Sequence, residues 1–134
     1  MSRFPTAAHL VSWAGLCPSA RQSGPRTRAG KKGQGGSWLR SALGQAANGA
    51  ARTPTFLGER YHRIARRRGK AKAQVAVARS ILVIIWHLLK NPEARFTDLG
   101  PGYHQARLDT GRKLRNHIQQ IQALGFDVTI TPAA

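Results

Sequence analysis

Acidic residues are what this chain has least of. Only five occur in 134 residues, Glu59, Glu93, Asp98, Asp109 and Asp127, and no two lie within three positions of each other. Two-metal phosphodiester chemistry needs several converging carboxylates to hold its ions, so this scatter argues against a self-contained metal nuclease. Asp109 reads instead as a helix cap, and Glu93 as a first-turn acid behind Pro92. Cysteine is as scarce: the single Cys17 can form no internal disulfide and has no CxxC partner, which suits a reducing cytosol. With one Cys and five dispersed His, no zinc ligand set is present and no metal residues are assigned. Long apolar runs are missing too. The greasiest stretch, Ile81–Trp86 with Leu88 and Leu89 beyond His87, falls short of the ~20 residues of a membrane span. The opening MSRFPTAAHLVSWAGL is interrupted by His9, Ser12 and Trp13 and reads against a signal peptide.

Positive charge is abundant. Twenty-two Lys and Arg against the five acids give a net charge of +17, which repels itself in a compact state unless a polyanion neutralises it. Nucleic acid is therefore the leading partner and an anionic membrane surface the second. With 41% apolar residues and three Trp the chain can bury a core, and its length suits one domain, residues 1–134.

The pattern along the chain predicts a mostly α fold. Residues 6–14 read as a short helix, capped by Thr6, with Ala7, Leu10, Val11 and Ala14 on one face and Gly15 at its end. Residues 17–36 read as a Gly-rich loop carrying Arg21, Arg26, Arg28, Lys31 and Lys32 and no acid. Ser37–Ala51 keeps an Ala-rich helical stripe. Pro54 suits the first turn of the next helix, where Leu57, Tyr61, Ile64 and Ala65 share a face and Arg60, Arg63, Arg66, Arg67 and Arg68 load the rest. Gly69 breaks the chain before a long helix over about Lys70–Lys90, which Asn91-Pro92 stops. Asp109 or Thr110 caps a last helix with Leu114, Ile118, Ile121 and Leu124, Gly125 closes it, and FDVTI alternates like a short C-terminal β-strand. The expected fold class is thus a small helical domain with a short C-terminal strand and a basic Gly-rich loop.

Three features bear on chemistry. Ser23 sits in ARQSGPRTRAG. A serine attacks a phosphodiester only where charge is stabilised and its proton removed; Arg21, Arg26 and Arg28 supply charge, but no base is near, and such a serine is ordinarily a turn residue. The stretch ERYHRIARRRGKAKA is either a solvated face or, being opposed by Glu59 alone, a phosphate-tracking surface. Trp13, Trp38 and Trp86 all neighbour apolar helical positions and read as core rather than base-stacking residues. His87 reads as structural.

The order of segments resembles a known family. SWAGLCP at 12–18, SG at 23–24, WLR at 38–40, the Ala-rich helix, GK at 69–70, AVARSILVIIWHLL at 76–89 and LGFDVTITPAA at 124–134 follow one another. Over about Phe4 to Ala134 this resembles the C-terminal domain of the DEDD-type transposases of bacterial insertion sequences, the group named for elements one-ten, one-sixteen and nine-oh-two.

The resemblance implies that Ser23 is a nucleophile forming a phosphoserine link to a cleaved DNA strand. The family pairs this domain with an N-terminal RNase H-like domain whose three Asp and one Glu bind magnesium. That domain and its Mg are expected to be missing here, as in an N-terminally truncated copy, and Pro25 departs from the small residue expected beside the serine. The implied function is DNA transposition, with DNA, a structured guide RNA and a full-length transposase or DEDD domain in trans as partners. Homo-oligomers of the complete family protein and a cytoplasmic, nucleoid-associated location are also implied. The nucleic-acid-binding residues expected are Arg21, Arg26, Arg28, Lys31, Lys32, Arg40, Arg60, Arg63, Arg66 and Arg67. The alternative is a non-catalytic basic nucleic-acid-binding fragment; a cationic membrane-associated helix protein is a third reading.

Overall fold

The computed structural model describes residues 2–17, 20–23, 26–29 and 36–131, of which 20–23 and 26–29 are described by their backbone. It divides into two units, Met1–Pro101 and Gly102–Ala134.

The first unit runs α1 (Ala7–Trp13), β1 (Ala20–Ser23), β2 (Arg26–Ala29), α2 (Ser37–Ala50), α3 (Phe56–Arg68) and α4 (Lys70–Lys90). Each start has a local cause. The Thr6 side chain accepts from His9 N, and that of Thr55 accepts from Gly58 N at 3.2 Å, each satisfying a donor the first helical turn leaves open. Thr55, not Pro54, therefore sets the start of α3, and Pro54 stands one residue outside the cap. Gly69, at φ +86°, separates α3 from α4.

Helix α4 is the centre of this unit. It packs against α1, α2 and α3, and its Val77, Ala78, Leu82 and Trp86 join Leu10, Val11, Ala14, Leu16, Leu43 and Ala47 in one core. Small residues on α2 and α4 let these helices approach closely. By length and composition α4 could cross a membrane, yet its buried stripe is that core. Burying a side chain such as Leu82 contributes roughly 1.5–3 kcal/mol. Trp86 keeps its polar edge satisfied, its indole N–H donating to the Phe4 carbonyl at 2.9 Å. This pins the chain before α1 to the far end of α4. Gly58 is buried where α3 meets the end of α2: a Cβ there would run into the Thr53 carbonyl oxygen and lie 2.8 Å from that of Ala50.

The second unit holds α5 (Tyr103–Ala106) and α6 (Thr110–Ala123). Asp109 caps α6, accepting from Arg112 N at 2.9 Å. No residue of α6 is buried.

Three expectations are corrected. The C-terminal β-strand is not formed: residues 126–131 have no regular structure. Alternation marks faces, but a strand exists only when another strand takes up its backbone groups, and none pairs with this segment among the described residues. Within the stretch expected as loop, β1 and β2 pair antiparallel; ARQS and RTRA carry no apolar alternation by which they could have been seen. Residues 91–100 are irregular, so Glu93 opens no helix; its N–H instead donates to Asn91 Oδ1 at 3.1 Å.

Candidate nucleic-acid interface

The hairpin brings the serine and three of the expected arginines into register. Ser23 pairs with Arg26 and Arg21 with Arg28, so the backbone places Ser23 at the end of β1, directly across from an arginine position. The side chains of these four, and all of Lys31 and Lys32, lie outside the described residues. At the root of the segment, Leu16 is buried and Gly36 takes a left-handed φ of +62° against α1. A Cβ on Gly36 would meet the Trp13 ring at 3.3 Å and Ala14 Cα at 3.5 Å. The two ends of residues 17–36 are thus held together on the α1–α2 side of the core.

Beside that root, Leu16, Ser37, Arg40, Ser41, Gly44 and Gln74 line an open groove between α2 and α4. Gln74 donates from Nε2 to the Gly44 carbonyl at 3.1 Å, tying the two walls. Arg40 is half-buried here, one turn into α2. Trp38 corrects an expectation: it is 80% exposed, and Trp13 is 42% exposed, while Trp86 alone of the three is core. Trp13 packs on Phe4, ring centroids 5.6 Å apart. Among the described residues nothing covers Trp38, because the apolar stripe of α2 is broader than the core it meets, and position 38 falls on the outer edge.

The arginine helix has two different parts. Arg66, Arg67 and Arg68 are exposed at the end of α3, whereas Arg60 and Arg63 are half-buried. Burial, then the charges of Arg63 and Arg79, hold the Arg60 guanidinium below its ordinary pKa. Arg60 Nε is shielded from solvent and has no hydrogen-bond partner. Arg79, from α4, also bears on Arg60 and was missed by sequence reading; its one signal was a cation within the apolar part of that helix. His62 is occupied locally, its Nε2 donating to the Ala51 carbonyl at 2.9 Å.

Two of the five acids have structural tasks. The Asp98 carboxylate accepts from Phe56 N at 3.2 Å and from Gly100 N at 3.0 Å, and Asp109 caps α6. Among the described residues no three His, Cys, Asp or Glu side chains gather as a metal site would require. The residues described do not fit a magnesium centre, and no step below is routed through one.

No curated protein and no solved structure matches the chain. The family model described as Transposase IS116/IS110/IS902 family matches residues 1–63. This span takes in α1, the Ser23 hairpin, α2 and the half-buried arginines of α3, and stops short of Arg66, Arg79 and the later segments that carried the sequence resemblance. Over residues 1–63, just under half of its length, the chain is similar to the IS116/IS110/IS902 family of transposases.

Proposed function

We propose that this chain binds the phosphate backbones of DNA and of a structured guide RNA and presents Ser23 as the nucleophile for strand cleavage and exchange. The observation that carries this reading is the span of the family match, which covers the Ser23 hairpin together with Arg40, Arg60 and Arg63. In the cleavage step the Ser23 Oγ attacks phosphorus. The bond from phosphorus to one sugar oxygen breaks, that oxygen leaves with the electron pair and takes a proton, and the Oγ proton passes to a base. In exchange, a sugar hydroxyl of a second strand displaces the serine by the reverse of these changes. Positive charge beside the attacked phosphate is what such a transition state requires, and the register of Arg26 and Arg28 opposite the strand that carries Arg21 and Ser23 supports that arrangement. A full-length transposase or a DEDD domain acting in trans, with its own magnesium, would complete the site. Higher-order copies of the family protein and a nucleoid location in the cytoplasm belong to the same reading.

A second reading, a basic binder without catalysis, is favoured by one observation: Asp98 and Asp109 are committed to backbone N–H groups. One experiment separates the two. The chain is incubated with a full-length family transposase, guide RNA and substrate DNA, and covalent protein–DNA adducts are resolved under denaturing conditions. An adduct on this chain that disappears with Ser23→Ala is expected. An adduct undiminished by Ser23→Ala sinks the serine assignment, and salt-sensitive binding with no adduct at all selects the non-catalytic reading.

A further inference from the structure

Cations lie over aromatic rings in three places: Arg3 over Phe4 at 5.9 Å, Lys90 over Trp86 at 4.6 Å and Arg107 over Tyr103 at 4.3 Å. Trp38 is the opposite case. It stands in the first turn of α2, is 80% exposed, and meets no ring, cation or hydrogen-bond partner among the described residues. The reason is local. The positions three and four further on, which share its face, are Ser41 and Ala42, too short to fold over an indole. Arg40, the only charge on α2, lies about 200° away around the helix and lines the groove towards α4. A flat apolar ring is thus held open to water on an uncharged helix face.

The surroundings of the ring indicate its occupant. Gly36, two residues earlier, ends the stretch 17–36, which carries five cations and no acid, and it rests against the partly exposed ring of Trp13. A polyanion drawn to that stretch brings its backbone to the foot of α2. The part of a nucleic acid that matches an open indole is the flat face of a base, and only an unpaired base has that face free. A second copy of this chain is a poor match, since it brings another +17 to the same place.

We propose that Trp38 is a stacking platform for an unpaired base of a DNA or RNA strand whose phosphates are held by the basic stretch 17–36. The proposal rests on the nucleic-acid-binding part of the function proposed above and is independent of Ser23. It gives the interface a property that cations alone do not supply, a preference for unpaired over paired strands.

Binding of labelled single-stranded DNA, single-stranded RNA and a duplex of the same length to the full chain, across a salt series, tests this. Trp38 buries little surface, so W38A and W38F are expected to melt as the parent does. W38A is expected to weaken single-strand binding about tenfold, with duplex binding and the salt slope unchanged because no charge is lost. W38F keeps an aromatic face and is expected to retain most of the binding. The DNA and RNA arms show which strand uses the platform; a loss with W38A on either one supports it. The parent alone gives a second readout: a strand of the same length lacking bases is expected to bind about tenfold less tightly, and W38A to bind both strands alike. If W38A binds both single strands as tightly as the parent, or weakens duplex and single strands equally, the platform is overturned, while steep salt dependence of the parent keeps the wider reading. Parent binding without salt dependence overturns both. If the parent self-associates in sedimentation, W38A does not, and single-strand binding is unchanged, the ring meets a second copy and the base assignment fails.

Discussion

Helices α4 and α6 both carry a regular apolar stripe, and they meet different fates. In α4 the stripe disappears into contact with α1, α2 and α3: Ala73, Val77, Ala78, Leu82 and Trp86 are all buried. In α6 the same kind of stripe, Leu114, Ile118, Ile121 and on to Leu124, buries no residue, and Leu124 is 75% exposed. Helical periodicity states which residues share a face; it says nothing of whether another element covers that face. Stability follows from the covering. The first helix is held by packing, which supplies most helical stability in proteins, whereas the second leans on local terms such as its cap.

Breaking that contrast starts with Leu82→Ala, which empties part of the core around α4. A loss of about 2–5 kcal/mol is expected from the removed contacts and the cavity left behind, read from the midpoint of urea denaturation followed by far-ultraviolet circular dichroism. For a small domain this is a large share of the whole. A smaller effect, about 1 kcal/mol, is expected from Asp109→Ala, which strips α6 of its N-cap. It should show as faster amide exchange across 110–123 with the α4 amides unchanged. Smallest is Ile121→Ala, expected within about 0.5 kcal/mol because no buried contact is lost. If Ile121→Ala proved as damaging as Leu82→Ala, the α6 stripe would be packed in solution and the contrast would collapse.

The same division runs through α3. The sequence shows one unbroken arginine run, yet Arg60 and Arg63 are half-buried and Arg66–Arg68 lie open to solvent. Legibility followed physical range. Caps, breaks and helix faces act within a few residues, so Thr6, Gly69, Asp109 and the buried faces of α1 and α4 were readable directly. Pairing and crowding are long-range. The hairpin of residues 20–29 was invisible because its strands lack an apolar alternation, and the C-terminal strand was expected because alternation carries no information about a partner. Trp38 was expected in the core because it belongs to the α2 stripe; how wide a core that stripe meets is set by α1 and α4. Arg79 escaped notice because Arg60, on which its charge bears, stands 19 positions earlier in the chain.

By itself the sequence determined the charge, the longer helices and most of their ends, the scatter of the carboxylates, and the ordered segments that resemble those of a transposase. These are properties of composition and of neighbours within one or two turns. Only the tertiary structure decided which apolar faces are covered, that Asp98 closes onto the start of α3 rather than joining other acids, and that two helices turning about Gly69 bring the charge of Arg79 to bear on Arg60. Such decisions depend on where separate elements lie in space, and no local preference of the chain encodes that.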